Sequence, residues 1–297
     1  MQIFTDTNFQ FIKVRKTGYM ISGALIVLSI ISLILHGGPK YNIDFTGGTL
    51  VHLKFEQPVK IEELRKALST HGYGEAEIKH FGSEDEVAIR AGLQRTAEEL
   101  STKMEEVIRE AIPDNKFEVQ RVEKVGPKIG QELVFDTLKA IGWAMLLILL
   151  YIMWRFEFKF SVGAVAALAH DIIITLGVFS IFDIEISSPI IAAILTIVGY
   201  SLNDTIVVYD RIRENLKTTK RNLDQLAETV NFSINETLSR TIITSGTTLL
   251  VVIVLYFFGG EVLRSFALAL IVGIVIGTYS SIFVASPIVV DWNTKKA

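Results

Sequence analysis

Phe160–Phe182, FSVGAVAALAHDIIITLGVFSIF, and Ile186–Val208, ISSPIIAAILTIVGYSLNDTIVV, are two hydrophobic runs separated only by Asp183-Ile184-Glu185. A bilayer core about 30 Å thick takes roughly 20 apolar helical residues, so each run is one crossing and the pair is a membrane hairpin. Four more stretches approach that length: Tyr19–Leu35, Thr137–Trp154, Thr241–Phe258 and Phe266–Val290. One such run is compatible with a buried helix of a soluble protein; six together are not. The expected fold class is a polytopic α-helical membrane protein with six transmembrane helices.

Composition supports a chain divided between membrane and water. Of 297 residues, 50% are hydrophobic, 21% are still charged, and 21 glycines come on top. The mean hydropathy is +0.42. Disorder is excluded by the hydrophobic content. The absence of cysteine excludes a disulfide scaffold, thiolate catalysis and cysteine-ligated zinc. A net charge of −3 offers no basic field, so nucleic acid is not expected as a partner. Lys13, Arg15 and Lys16 precede the first run as they would in a secretory signal. Its apolar run is longer than a signal core, and Ile34-Leu35-His36-Gly37-Gly38-Pro39 offers no small-residue cleavage site, so it is expected to be an uncleaved span.

Basic residues set the orientation, because they favour the cytoplasmic side of short loops. Lys13, Arg15 and Lys16 lie before span one, and Arg155 and Lys159 lie between spans two and three. Arg211, Arg213, Lys217, Lys220, Arg221 and Arg240 lie between spans four and five, and Lys295 and Lys296 follow span six. The loop between spans three and four holds Asp183 and Glu185 without Lys or Arg, and the next outer loop, between spans five and six, has only Arg264. Both termini are therefore expected in the cytoplasm. The expected order is a cytoplasmic N-terminus over 1–18, span one over 19–36 and an extracytoplasmic domain over 37–132. A five-helix bundle over 133–290 with a cytoplasmic loop at 209–240 follows, then a cytoplasmic C-terminus at 291–297.

In the long loop, Thr49, Val51, Leu53 and Phe55 alternate with Leu50, His52 and Lys54, a strand pattern. Val59–His71 carries Ile61, Leu64 and Leu68 on one helical face. Glu75–Phe81 and Glu86–Ala91 are strands around a Gly82-Ser83 turn. Thr96-Ala97-Glu98-Glu99 starts a helix as a capping box, with Leu100, Met104, Val107 and Ile108 on one stripe and Pro113 as its stop. Lys116–Val125 is the last strand. The order β-α-β-β-α-β predicts an α+β ferredoxin-like domain, a fold that by itself implies no function. His36, His52, His71 and His80 are scattered, and no metal-ligand cluster is expected.

Ionisable residues inside the membrane are costly and point to function. His170 and Asp171 fall near the middle of span three, and Asp204 lies in span four beside Asn203. Asp204 is six residues from Asp210, about 9 Å inside the edge at 1.5 Å per residue. Arg240 opens span five from the same side, followed one turn later by Thr244 and Ser245. Asp204 and Arg240 are expected to pair, with the two hydroxyls extending a proton pathway; His170 is expected to serve in packing. Span six carries Ala269, Gly273, Gly277, Ser281 and Ala285 at four-residue spacing, a smooth packing face toward either this chain or a partner. Gly163 and Ala167 begin a similar face toward Asp171. In the cytoplasmic loop, Leu223, Leu226, Val230, Ile234 and Leu238 predict an amphipathic helix on the membrane surface. Asp44, Gly47 and Gly48, and Gly126 and Pro127 in the return linker, are expected to be mechanical joints, the glycines for their backbone freedom and the proline for stiffness.

Four stretches together carry a resemblance. They are Asn42–Thr49 (NIDFTGGT), Val125–Leu133 (VGPKIGQEL), Val198–Asn215 (VGYSLNDTIVVYDRIREN) and Asn235–Ser245 (NETLSRTIITS). In this order around six spans, the chain resembles the SecD/SecF family of protein-export membrane proteins in the resistance-nodulation-division superfamily. The resemblance implies a translocase subunit, not an enzyme, in the bacterial cytoplasmic (inner) membrane. It implies a separate SecD partner, the SecYEG channel and secreted preproteins as further partners, and the proton-motive force as drive. Protons are then the coupling ion and no other cofactor is expected; membrane lipids surround the spans. By position, Asp204, Arg240 and Thr244 match the family's proton-pathway residues, and Asn203 and Asp171 are taken with them. The alternative is one half of a proton-coupled exporter of lipids or small molecules from the same superfamily. An intramembrane aspartyl protease using Asp171 and Asp204 lacks its glycine-flanked aspartate motif.

Overall fold

The computed structural model describes residues 7–74, 76–91, 97–218 and 223–294. Among them, six helices are long and apolar enough to cross a membrane: Arg15–Leu35, Ile129–Arg155, Phe158–Ile181, Ser188–Lys217, Gln225–Phe258 and Leu263–Trp292. The chain is a multi-pass membrane protein. Contacts divide it into a helical unit, which runs to Lys40 and resumes at Lys139, and an α+β unit, Tyr41–Leu138.

After α1 (Arg15–Leu35), the α+β unit opens with a single turn, α2 (Ile43–Thr46). It continues as β1 (Gly48–Phe55), α3 (Ile61–Thr70), β2 (Glu77–Phe81), β3 (Ser83–Ala91), α4 (Ala97–Ala111) and β4 (Phe117–Val125). The strands lie in the order β2-β3-β1-β4, every neighbouring pair antiparallel. In the central strand β1, Val51 faces Ile89 on one side and Val122 on the other. Its alternation puts Val51, Leu53 and Phe55 in one core with Leu64, Leu68, Met104 and Ile108 of the two helices. Val59 falls outside the helix predicted from it, because its N–H is bonded to Glu84 O. Ser83 joins β3 because Gly82, at φ 83°, turns the chain so that Phe81 pairs with Ser83. Thr96 of the expected capping box, and Lys220, Arg221, Lys295 and Lys296, lie outside the described residues.

The next helix is α5 (Pro127–Arg155), whose first part, to Leu138, belongs to the α+β unit; the helical unit continues from Lys139 with the rest of it and with α6 (Phe158–Ile181), α7 (Ser188–Thr218), α8 (Leu223–Phe258) and α9 (Gly260–Ser280). A π-helical turn, Ser281–Ala285, then leads into α10 (Ser286–Thr294). Two expectations are corrected. The stretch before span two is helix rather than linker: α5 starts at Pro127, where a missing N–H leaves no intrahelical bond unmade. The amphipathic segment is the first part of the 36-residue α8, not a helix lying on the membrane. Its Leu226, Val230, Ile234 and Leu238 are buried against Tyr209 and Ile212 of α7, Phe156 and Ile12. The same apolar stripe that fits a lipid surface fits a neighbouring helix, and α7 runs far enough past the hydrophobic span to supply one.

α1 is turned inside out relative to a soluble helix. Gly18, Ser22, Ser29 and Ser32 are its buried residues, whereas Val27, Leu28, Ile31 and Ile34 are exposed. Lipid supplies an apolar surface for the large side chains, so close packing by small ones decides the buried face.

Candidate functional site

Asp204 sits on the face of α7 turned to α8 and α9 and is 2% exposed. Its Oδ2 accepts from Ser245 Oγ of α8 at 3.0 Å and from Thr278 Oγ1 of α9 at 3.4 Å. Thr278 Oγ1 also lies 2.8 Å from Ser245 Oγ, to which its single hydrogen can turn instead. The helices come close enough because the small face of α9 packs inside the chain. A Cβ on Gly273 would lie 2.7 Å from Ile197 Cγ2, and one on Gly277 would lie 2.9 Å from Ser201 Cβ. Ser281, within the π-helical turn, is fully buried.

The expected pairing of Asp204 with Arg240 is not what holds the carboxylate. Arg240 and Asn203 are exposed, and the hydroxyl that reaches Asp204 from α8 belongs to Ser245, not Thr244. Five residues turn a helix through one revolution plus about 140°, so Arg240 and Ser245 point to different sides; Thr244, four residues on, shares the side of Arg240. Thr241, four residues before Ser245, is 2% exposed, and its Oγ1 is buried without a hydrogen-bond partner.

Asp171 and His170 are 1% and 3% exposed. Asp171 Oδ1 lies 2.9 Å from His170 Nδ1. Oδ2 accepts from Ser201 Oγ at 2.6 Å and from Ser280 Oγ at 2.9 Å. His170 Nε2 is 3.1 Å from Ser22 Oγ, itself 3.3 Å from the Tyr279 hydroxyl, which donates to Gly18 O at 2.8 Å. Four helices meet here, and His170 joins two of them rather than merely filling space. Ser22, Ser201, Tyr279 and Ser280 were not anticipated. On the seam toward Asp171, a Cβ on Gly163 would lie 2.9 Å from Ala285 O, the carbonyl that also receives the Tyr209 hydroxyl at 3.1 Å.

Within the α+β unit the first two motif stretches touch. Asn42 Oδ1 caps α2 by accepting from Asp44 N at 2.9 Å, and Gly47 and Gly48 then take φ of 74° and 139°, reserved in practice for glycine. Against this turn packs the first part of α5: a Cβ on Gly130 would lie 2.7 Å from Phe45 C, and closer still to its carbonyl oxygen. Gly126 makes no such demand, since a Cβ there would meet only Ile129 Cδ1 at 4.0 Å. The demanding glycine of the second motif is thus Gly130. Gly130→Ala should destabilise this contact by about 1–3 kcal/mol, and Gly126→Ala much less. Hydrogen exchange at Gly47 N–H, which bonds to Ile43 O, would show the difference.

The third and fourth stretches also meet. Arg211 Nε donates to Glu236 Oε2 at 2.7 Å, and Asn215 Nδ2 reaches the same oxygen at 2.8 Å. Asn235 and Asn231 of α8 hold the chain before α1, each donating to Phe9 O, at 2.9 and 3.0 Å.

The model of the family described as protein export membrane protein SecD/SecF, C-terminal, matches residues 103–295. The chain belongs to the SecD/SecF family. Relatives include a protein translocase subunit SecF of Desulfurispirillum indicum, 48% identical and covering 96% of this chain and 92% of its own length. Another, from Rhodothermus marinus, is 48% identical over 100% of this chain and 97% of its own. Among solved structures, the crystal structure of SecDF, a translocon-associated membrane protein from Thermus thermophilus, matches with a TM-score of 0.87 at 42% identity. That match covers 97% of this chain and 39% of the SecDF chain, so the chain spans about two fifths of that SecD/SecF-family relative.

Proposed function

We propose that this chain is a protein translocase subunit of the Sec pathway that works with a separate SecD subunit and the SecYEG channel. It uses the proton-motive force to promote export of preproteins across the bacterial cytoplasmic membrane. Both termini lie in the cytoplasm, as the basic loops favour, and the α+β unit, ferredoxin-like in its strand order, lies outside. The chain is a coupling device rather than an enzyme, and protons are its only cofactor.

The observation that carries the proton reading is the Asp204 site. A carboxylate 2% exposed among apolar spans, held by the hydroxyls of Ser245 and Thr278, is expensive to keep charged. Each hydroxyl can donate to an ionised carboxylate or accept from a protonated one, so a proton can arrive without leaving a polar group unpaired. Thr241, one turn along α8, supplies the next polar step. Arg240 and Thr244, on another side of α8, together with the exposed Asn203, complete the path with the SecD partner in this reading. Taking up a proton weakens the grip of Asp204 on α8 and α9. The resulting shift passes to α1 through α6, on which α1 packs, and Asp44, Gly47, Gly48 and Gly130 serve as a mechanical joint at the α2 turn.

Reconstituted with SecD and SecYEG, the chain should speed export several-fold only while a proton gradient is present. An uncoupler should bring the rate down to that of membranes lacking the chain. Equal stimulation with and without the gradient would refute the coupling while leaving the family assignment intact. The exporter alternative would show as gradient-driven release of a lipid or small molecule without preprotein.

A further inference from the structure

Two residues of α9, Thr278 and Ser280, touch one buried acid each, and Tyr279 stands between them. Thr278 donates to Asp204 at 3.4 Å and Ser280 to Asp171 at 2.9 Å, while between them the Tyr279 hydroxyl lies 3.3 Å from Ser22 Oγ, the neighbour of His170. α7 repeats the arrangement, since Ser201, one turn before Asp204, donates to Asp171 at 2.6 Å. Directly after Ser280 the helix widens into the π-helical turn Ser281–Ala285. Such turns are uncommon and recur at functional sites. Any rotation of α7 or α9 that changes the partners of one acid therefore changes those of the other.

The His170–Asp171 pair has the chemistry to hold a proton of its own. With a neutral imidazole donating through Nδ1, the pair carries one negative charge; with one further proton it is neutral overall. The surrounding hydroxyls serve both states. Ser22 donates to an unprotonated Nε2, or accepts from Nε2–H and turns its own hydrogen toward the Tyr279 oxygen. Tyr279 keeps its bond to Gly18 O in either case. Neither state leaves a buried polar atom unpaired, which a static packing network does not require. Among the described residues, the titratable groups around His170 are Asp171 on α6 and Tyr279 on α9, with Asp204 farther along α7. α1 presents the Ser22 hydroxyl to it.

We propose that His170 and Asp171 form a second proton-binding site, which takes up one proton and exchanges it against the occupancy of Asp204 through the shared contacts on α7 and α9. The site stands on its own geometry; its exchange with Asp204 rests on the reading of Asp204 as the coupling residue. The balance is simple: the pair gains one proton and one positive charge, with no covalent change. A proton on either acid removes a negative charge near the other, so the two compete.

The test is nitrogen-15 magnetic-resonance titration of the full-length chain, labelled at its five histidines, in lipid nanodiscs with its partner subunit. His170→Gln, which keeps hydrogen-bonding capacity, identifies the resonance. The His170 signal should show both imidazolium and neutral forms as the pH is varied across the range in which the protein stays folded. In Asp204→Asn, where one negative charge is gone, the proportion of imidazolium to neutral ring at a fixed pH should change. A His170 ring that keeps one protonation form across the range would overturn the site. A titration indifferent to Asp204→Asn would overturn the exchange. Export that survives Asp204→Asn would overturn the coupling reading alone, because the His170 titration is read without transport.

Discussion

Asp204→Asn should leave the chain inserted in the membrane and associated with its partner, yet remove the whole gradient-dependent part of export. The asparagine is isosteric, and its Oδ1 can still accept from Ser245 and Thr278, which bond to Asp204 at 3.0 and 3.4 Å. Packing between α7, α8 and α9 is therefore kept, and what disappears is the ability to gain and lose a proton. Asp204→Glu is the informative companion. It retains the carboxyl but adds a methylene to a site already closed from solvent, at a cost of about 1–3 kcal/mol. It should keep part of the activity where the asparagine keeps none. Export into inverted vesicles under an imposed gradient measures both, with membrane fractionation to confirm insertion. Undiminished gradient-dependent export in the asparagine variant would end the proposal that this carboxylate is the relay.

The spans and the sheet were legible in the sequence because each follows from one repeated physical demand. Roughly 20 apolar residues cross a bilayer, and alternation such as Val51-His52-Leu53-Lys54-Phe55 makes a half-buried strand. Helix ends were less legible, since hydropathy marks where the membrane stops and not where the helix does. Pro127–Asp136 contains Lys128, Glu132 and Asp136 and is helical nonetheless. Asp204 stands out in the sequence through the cost of a charge in hydrocarbon, whereas its depth alone does not say which side chain of α8 bonds to it. Depth is one coordinate of a helix and azimuth the other. Counting 100° per residue separates Arg240 from Ser245 and groups Ser245 with Thr241.

The hydroxyls around Asp171 were not legible in the same way. Serines and threonines are frequent in apolar spans, and only the packing of α1, α6, α7 and α9 selects Ser22, Ser201 and Ser280 from the rest. One signal was present: Gly18, Ser22, Ser29 and Ser32 recur at spacings of four, seven and three, which places them on one face of α1. A polar, small face on an otherwise apolar span marks where another helix must approach.

That approach gives the sharpest structural prediction, Gly177→Ala. Gly177 of α6 is buried against α1, where an added Cβ would lie 2.7 Å from Ser29 Cα and closer still to its Cβ and Oγ. Because the obstruction includes backbone, no rotamer change relieves it, and α1 must move away from α6. The movement would loosen the Ser22–His170 contact at 3.1 Å and the Ser32–Ser180 contact at 2.8 Å, which share this interface. Overpacking of this kind costs about 1–3 kcal/mol, against which the better helix propensity of alanine returns at most about 1 kcal/mol. The thermal midpoint of the protein in detergent should fall by several degrees, with export reduced alongside. Gly23→Ala, on the open side of α1 where a Cβ meets nothing within 4 Å, should be neutral or slightly stabilising. Adding Ser29→Gly to Gly177→Ala removes the two nearest atoms but not Cα, so it should recover only part of the loss. Full recovery would place the obstruction in the serine side chain alone, and no loss in the single variant would mean that α1 and α6 do not pack at this distance.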